Sequence, residues 1–107
     1  MIKDLPKLIG TQKQVKYANQ LREDYIQNLI VAGNIIEDYL SKNNIEEKNG
    51  AVASLHRTAV LRFEDNLRFW ESANKYIRHK DICENPRDLA IQMKAYADRL
   101  VEIMREN

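Results

Sequence analysis

From Ala51 to Lys80 the chain reads AVASLHRTAVLRFEDNLRFWESANKYIRHK, thirty residues without a proline. Its only β-branched residues are Val52, Thr58, Val60 and Ile77. Leu55, Ala59, Phe63, Trp70, Ala73 and Ile77 recur at steps of three, four or seven, which gathers them on one helical face. The spacing predicts a single helix over 51–80, about 45 Å long at about 1.5 Å per residue. Phe69 and Tyr76 lie beside the stripe and widen it, which suits a helix contacted by two neighbours. The opposite side carries Arg57, Glu64, Arg68, Glu71, Lys75 and Arg78. Glu64–Arg68 and Glu71–Lys75 are spaced as i,i+4 ion pairs, each contributing about 0.2–0.5 kcal/mol.

The flanks supply two partners for this helix. Residues 1–10 read as an extended lead-in, since Pro6 biases Leu5 toward extended geometry and Gly10 permits a turn. Thr11 and Gln14 have the spacing of a capping box. From there Ala18, Leu21, Tyr25, Leu29, Ala32, Ile36 and Leu40 trace one face of a helix over 12–42. Gly33-Asn34 is the place where that helix would kink, although the apolar register continues through it. Tyr17, Val31 and Ile35 fall on a different face. Residues 41–50, SKNNIEEKNG, have loop composition around a lone Ile45. Asn85-Pro86 restarts a helix over 86–105, with Asn as the cap and Pro in the first helical position. Its apolar face is Leu89, Met93, Tyr96, Leu100, Ile103 and Met104. The expected fold is all-α: one domain over 1–107, a three-helix antiparallel bundle of long helices.

Composition narrows the function classes. With 17 basic and 16 acidic residues the formal charge is +1, so no overall field draws the chain to nucleic acid or anionic membrane. No apolar run is long enough for a membrane span, and MIKDLPKLIG lacks the apolar core of a signal peptide. A lone cysteine, Cys83, leaves no intrachain disulfide. The expectation is a cytoplasmic protein that no membrane holds.

Catalytic and metal signatures are lacking. His56 and His79, the two histidines, would stand about 35 Å apart on one straight helix, too far to share a metal. Both read as surface or capping residues. Cys83 sits in a turn among Arg78, His79, Lys80 and Arg87, an electropositive setting that would lower a thiol's pKa. No Gly-rich phosphate loop, G-x-S-x-G or H-E-x-x-H occurs. The reading is a non-enzymatic protein with no catalytic residue, no cofactor and no metal.

Two binding surfaces stand out instead. Tyr17, Val31, Ile35, Phe69 and Tyr76 are candidates for a protein interface, because aromatics and apolar rows outside a core mark contact sites. Arg57, Arg62, Arg68, Lys75 and Arg78 could follow phosphates along the central helix, within a segment holding six basic and three acidic residues. The first surface supports a protein-binding module, with self-association as a homodimer. The second supports the alternative, a small nucleic-acid-binding accessory or regulatory protein.

The segment from Leu5 to Ile26 resembles an opening of small uncharacterised phage and mobile-element proteins, roughly Leu-Pro-x-Leu-x-Gly-Ser-x-Lys-Gln-x-x-Trp-Ala-x-x-Ile-Arg. Leu5, Pro6, Leu8, Gly10, Thr11, Lys13, Gln14, Tyr17, Ala18, Leu21 and Arg22 take the matching places, with Tyr17 in place of Trp. The match covers about a fifth of the chain, and no catalytic residue travels with it. What the resemblance implies is phage or mobile-element cargo that binds a larger host or phage protein, such as an anti-CRISPR-like inhibitor of a defence nuclease.

Overall fold

The computed structural model describes residues 4–106. It contains six helices: α1 (Gln12–Lys42), α2 (Ile45–Lys48), α3 (Gly50–Phe69), α4 (Ala73–Arg78), α5 (Lys80–Glu84) and α6 (Pro86–Glu106). Three are long. No strand occurs among the described residues, and the one β-like feature is an isolated parallel bridge between Ile9 and Ser72. The fold is all-α, as the periodicity requires. The first three residues of the lead-in lie outside the described region.

α1 forms for the reasons its sequence states. Gln14 N–H donates to Thr11 Oγ1 at 3.2 Å and Thr11 N–H donates to Gln14 Oε1 at 3.0 Å, closing the capping box. Ala18, Leu21, Tyr25, Leu29, Ala32, Ile36 and Leu40 are all buried. The helix runs through Gly33 without interruption. Tertiary burial on both sides of the glycine outweighs its helix cost of about 1 kcal/mol.

The expected 51–80 helix is not one helix. α3 ends at Phe69, Trp70 turns extended (φ −81, ψ 96), and only then do α4 and α5 follow. The cause lies far away in sequence. Ile9 N–H donates to the Glu71 carbonyl at 2.8 Å, and Ala73 N–H donates to the Ile9 carbonyl at 2.9 Å. The lead-in thus takes over backbone groups that a continuing helix would have paired within itself. Leu8 is buried, and Arg22 Nη1 donates to the Pro6 carbonyl at 2.7 Å, so the segment is pinned at three points. A Cβ on Gly10 would lie 3.1 Å from Ala73 Cβ. Two small residues let the backbones meet there.

Breaking the helix redistributes its face. In α3 the buried residues are Ala53, His56, Ala59, Asn66 and Leu67, while Phe63, Trp70 and Ile77 pack as half-buried edges of the core. Tyr76 is fully buried and Phe69 is 68% exposed. Tyr76 is therefore core and not an interface residue: α4 starts afresh after the extended link and turns Tyr76 inward. The Glu71–Lys75 pair is lost with the helix that would have aligned it, and Arg68 instead pairs with Asp65 at 3.0 Å.

The connection over 41–50 is not a plain loop. Asn44 adopts a left-handed conformation (φ 51, ψ 37), and one turn, α2, packs Ile45 against the core. At α6 the cap is as expected. Asn85 Oδ1 accepts from the backbone of Arg87 at 2.9 Å and of Asp88 at 3.4 Å. The buried face is Leu89, Ala90, Met93, Ala97 and Val101, rotated from the expected one so that Ile103 and Met104 remain exposed. Alanines at 53, 59, 90 and 97 lie in this interior.

Candidate functional site

Two regions could bind something, and they are built differently. The first is a groove of about 430 Å³ between α1 and α6, lined by Ile35, Ile36, Tyr39, Ala90 and Ile91 with the stems of Arg87 and Lys94. Ile35 and Ile91 are exposed at 38% and 62%. Val31, one helical turn before Ile35, is also exposed, as are Ile30 beside it and Tyr17 far along α1. Lys94 Nζ lies 4.8 Å from the Tyr39 ring centroid and pairs with Asp98 at 2.9 Å. Its ammonium thus closes one end of the groove while its methylenes extend the apolar wall. Of the five expected interface residues, Val31 and Ile35 come together here, with Ile35 in the groove wall. Ile91, which is not part of the apolar face expected for the last helix, joins them.

The second region lies where the 51–80 stretch breaks. Trp70 stacks on Tyr25 (5.7 Å, 28°) and on His79 (4.8 Å, 27°), and Tyr76 meets it edge-on at 5.1 Å. Tyr25 OH donates to the Phe63 carbonyl at 2.6 Å, Asn66 Nδ2 donates to Tyr25 OH, and Arg62 Nη1 donates to Asn66 Oδ1 at 2.8 Å. Asn66 is buried because both ends of its amide are satisfied this way. Burial pushes the Tyr25 phenol well above its ordinary range, against the lowering effect of the Asn66 hydrogen bond. Beside this cluster opens a cleft of about 660 Å³ that takes in Arg62, Lys75 and Arg78.

The five basic candidates are therefore divided. Arg57 donates to Glu37 at 3.0 Å and to Glu46 at 3.0 Å, joining α1 and α2 to α3. Arg57 holds the Glu46 carboxyl below its ordinary range by direct hydrogen bonding. Arg68 is paired with Asp65. Arg62, Lys75 and Arg78 remain, gathered in a cleft and not strung along a row.

Two residues differ from their expected roles. Cys83 is buried, and its thiol is pushed from 9.0 to about 12 by that burial, with the Glu84 and Asp24 charges adding to it. Its surroundings are apolar and acidic, the reverse of an activating site. His56 is 2% exposed and not a surface residue. Its Nδ1 hydrogen-bonds the Val52 carbonyl at 2.9 Å, its ring leans on Tyr39, and Nε2 faces Asp98 Oδ1 at 3.9 Å. A buried histidine paired with its own helix through Nδ1 alone, its Nε2 left without a hydrogen-bond partner, gives no distinguishing signal in sequence. His79 is exposed and caps the Lys75 carbonyl through Nδ1 at 2.8 Å, as expected of it. Among the described residues no group of three or more His, Cys, Asp or Glu could hold a metal ion, and no helix is long and apolar enough to cross a membrane. No protein family matches this chain, and no similar protein was found among curated sequences or solved structures.

Proposed function

We propose that this protein is a non-enzymatic helical module that binds another protein through the groove between α1 and α6. The observation that carries the reading is the exposure of Ile35 and Ile91 on a groove whose other walls are also apolar. Covering isoleucines of this kind returns about 25 cal/mol per Å² of apolar surface, and apolar patches on a small domain mark contact surfaces. The scaffold is a three-helix antiparallel arrangement of α1, α3 and α6. Contacts that step in opposite senses support it: Tyr25 to Phe63 and Tyr39 to His56 between α1 and α3, and Phe63 to Tyr96 and His56 to Asp98 between α3 and α6.

The partner class implied by the opening segment is a larger host or phage protein, such as a defence nuclease, with a second copy of the chain as the simplest occupant. Nucleic-acid binding is the weaker reading, because Arg57 and Arg68 already spend their charge on Glu37, Glu46 and Asp65. Size exclusion with light scattering tests self-association, and capture with mass spectrometry tests for a foreign partner. The Val31→Asp, Ile35→Asp double variant is expected to weaken either association while keeping its helical circular dichroism. Unchanged association in that variant, or a monomer at high micromolar concentration that captures nothing, would overturn the proposal.

A further inference from the structure

The cleft beside Trp70 brings cations and carboxylates together without pairing them. Its cations, Arg62, Lys75 and Arg78, come from α3 and α4, and its carboxylates, Asp81 and Asp88, come from α5 and α6. No ion pair joins the two sets among the described residues. Elsewhere Arg57, Arg68, Lys42 and Lys94 all find carboxylates within 4 Å. Opposite charges facing a common cleft without closing on each other leave both sets available to a ligand.

One cation is also held in place from below. Arg62 spends a single N–H on buried Asn66, which is anchored in turn to Tyr25. A guanidinium has five donors, so most of its fork is free and its direction is set by the core. His79 stacks on Trp70 and donates its Nδ1–H to the Lys75 carbonyl, which leaves Nε2 for a ligand. At about 660 Å³ the cleft has the size of a small-molecule site.

We propose that this cleft binds a nucleoside monophosphate. The phosphate is taken by Arg62, Lys75 and Arg78, and hydroxyl and amino donors of the same ligand by Asp81 and Asp88. Arginine and lysine suit phosphate oxygens through charge-assisted hydrogen bonds. Ionised carboxylates are acceptors only, so they suit a ligand end that offers O–H and N–H groups. A free anion uses one set of groups and meets repulsion from the other, whereas a two-ended ligand uses both. The cleft shares the Ile91 wall with the α1–α6 groove, but none of its five charged groups lines that groove, so the assignment does not depend on it.

Isothermal titration calorimetry of the full chain with adenosine monophosphate, adenosine and inorganic phosphate tests the assignment. Saturable binding of adenosine monophosphate is expected, at least about tenfold tighter than inorganic phosphate or adenosine. Lys75→Ala with Arg78→Ala should weaken it by about tenfold or more, with the melting temperature unchanged because both side chains are exposed and unpaired. Asp81→Asn with Asp88→Asn should weaken adenosine monophosphate but not inorganic phosphate. Absence of saturation up to about 5 mM, or equal affinity for phosphate and the nucleotide, would overturn the proposal. So would a short single-stranded RNA that binds more tightly than the nucleotide and ignores the aspartate changes, since that result assigns the cations to a polyanion.

Discussion

α1 and the stretch from Gly50 to Glu84 are opposites in what holds them. α1 contains a glycine in its interior and stays helical for 31 residues. The second stretch has neither proline nor glycine between Ala51 and Glu84 and divides into three helices of 20, 6 and 5 residues. Local propensity would rank them the other way round. The difference is what each backbone meets. α1 buries one residue of its face every three or four positions along its whole length. The second stretch meets the lead-in at Glu71 and Ala73, where Ile9 offers its own N–H and carbonyl. Competition for backbone hydrogen bonds, and not a breaker residue, ends α3.

The largest test of this contrast is Trp70→Ala. Trp70 joins Tyr25, Tyr76 and His79 at the break, and its removal is expected to cost about 3–5 kcal/mol in a urea titration. A near-neutral change would mean that the break stands without its aromatic cluster. A second test uses pH. Burial raises the Cys83 thiol to about 12, and burial likewise raises the Tyr76 phenol to about 12. Both groups are protonated in the folded state and ionise more readily once unfolded. Their contribution is therefore complete below the unfolded values of 9.0 and 10.0 and declines as pH rises from there toward 12. Cys83 alone steepens the loss by up to about 1.4 kcal/mol per pH unit. Melts taken from pH 8 upward should fall faster for the native protein than for Cys83→Ala, and parallel curves would refute the assignment.

Gly10→Val probes the break from its other side. The new side chain would crowd Ala73 Cβ and Gln14 Oε1, each 3.1 Å from an added Cβ, and should cost about 1–3 kcal/mol. Amide exchange at Ala73 should accelerate, and helical ellipticity should hold or rise as residues 70–72 regain helix. A fall in helicity confined to α1 would contradict this. The smallest effect belongs to α1. A Cβ on Gly33 would meet Val60 Cγ1 at an ordinary 3.6 Å. Gly33→Ala should therefore stabilise by about 0.5–1 kcal/mol, read as a rise in melting temperature.

Legibility in the sequence follows the same contrast. α1 could be read residue by residue, because its cap and buried face are local patterns. The cap of α6 was equally plain, though its face turned toward Ala90 and Ala97 and away from Ile103 and Met104. The break could not be read. Its determinants are main-chain atoms of Ile9, and the only local hint is that Gly10 and Ala73 are small. Tyr76 and Phe69, which a register carried through Trp70 places together at the edge of one stripe, part company: Tyr76 is buried and Phe69 exposed. His56 and Asn66 were missed as interior residues because polar side chains carry no apolar signal; Tyr25 and Arg62 satisfy Asn66, while Val52 pairs only Nδ1 of His56. At the candidate sites, Val31 and Ile35 were visible as an unpartnered row. Ile91 needed the fold to bring it alongside.

The Ile9–Ser72 bridge also bears on the order of folding. It joins positions about sixty residues apart, so its closure entropy falls due before any reward from contact is collected. The contacts of Tyr25 with Phe63 and Tyr39 with His56 span shorter loops and include more side-chain burial. The helices should pair first, with the 51–80 stretch still continuous, and the lead-in should cut it afterwards. A fragment spanning residues 51–80 would then carry its helix past Trp70, and adding the lead-in back would shorten it. In that order the N-terminal segment would act late and at a distance, as an editor of secondary structure that has already formed.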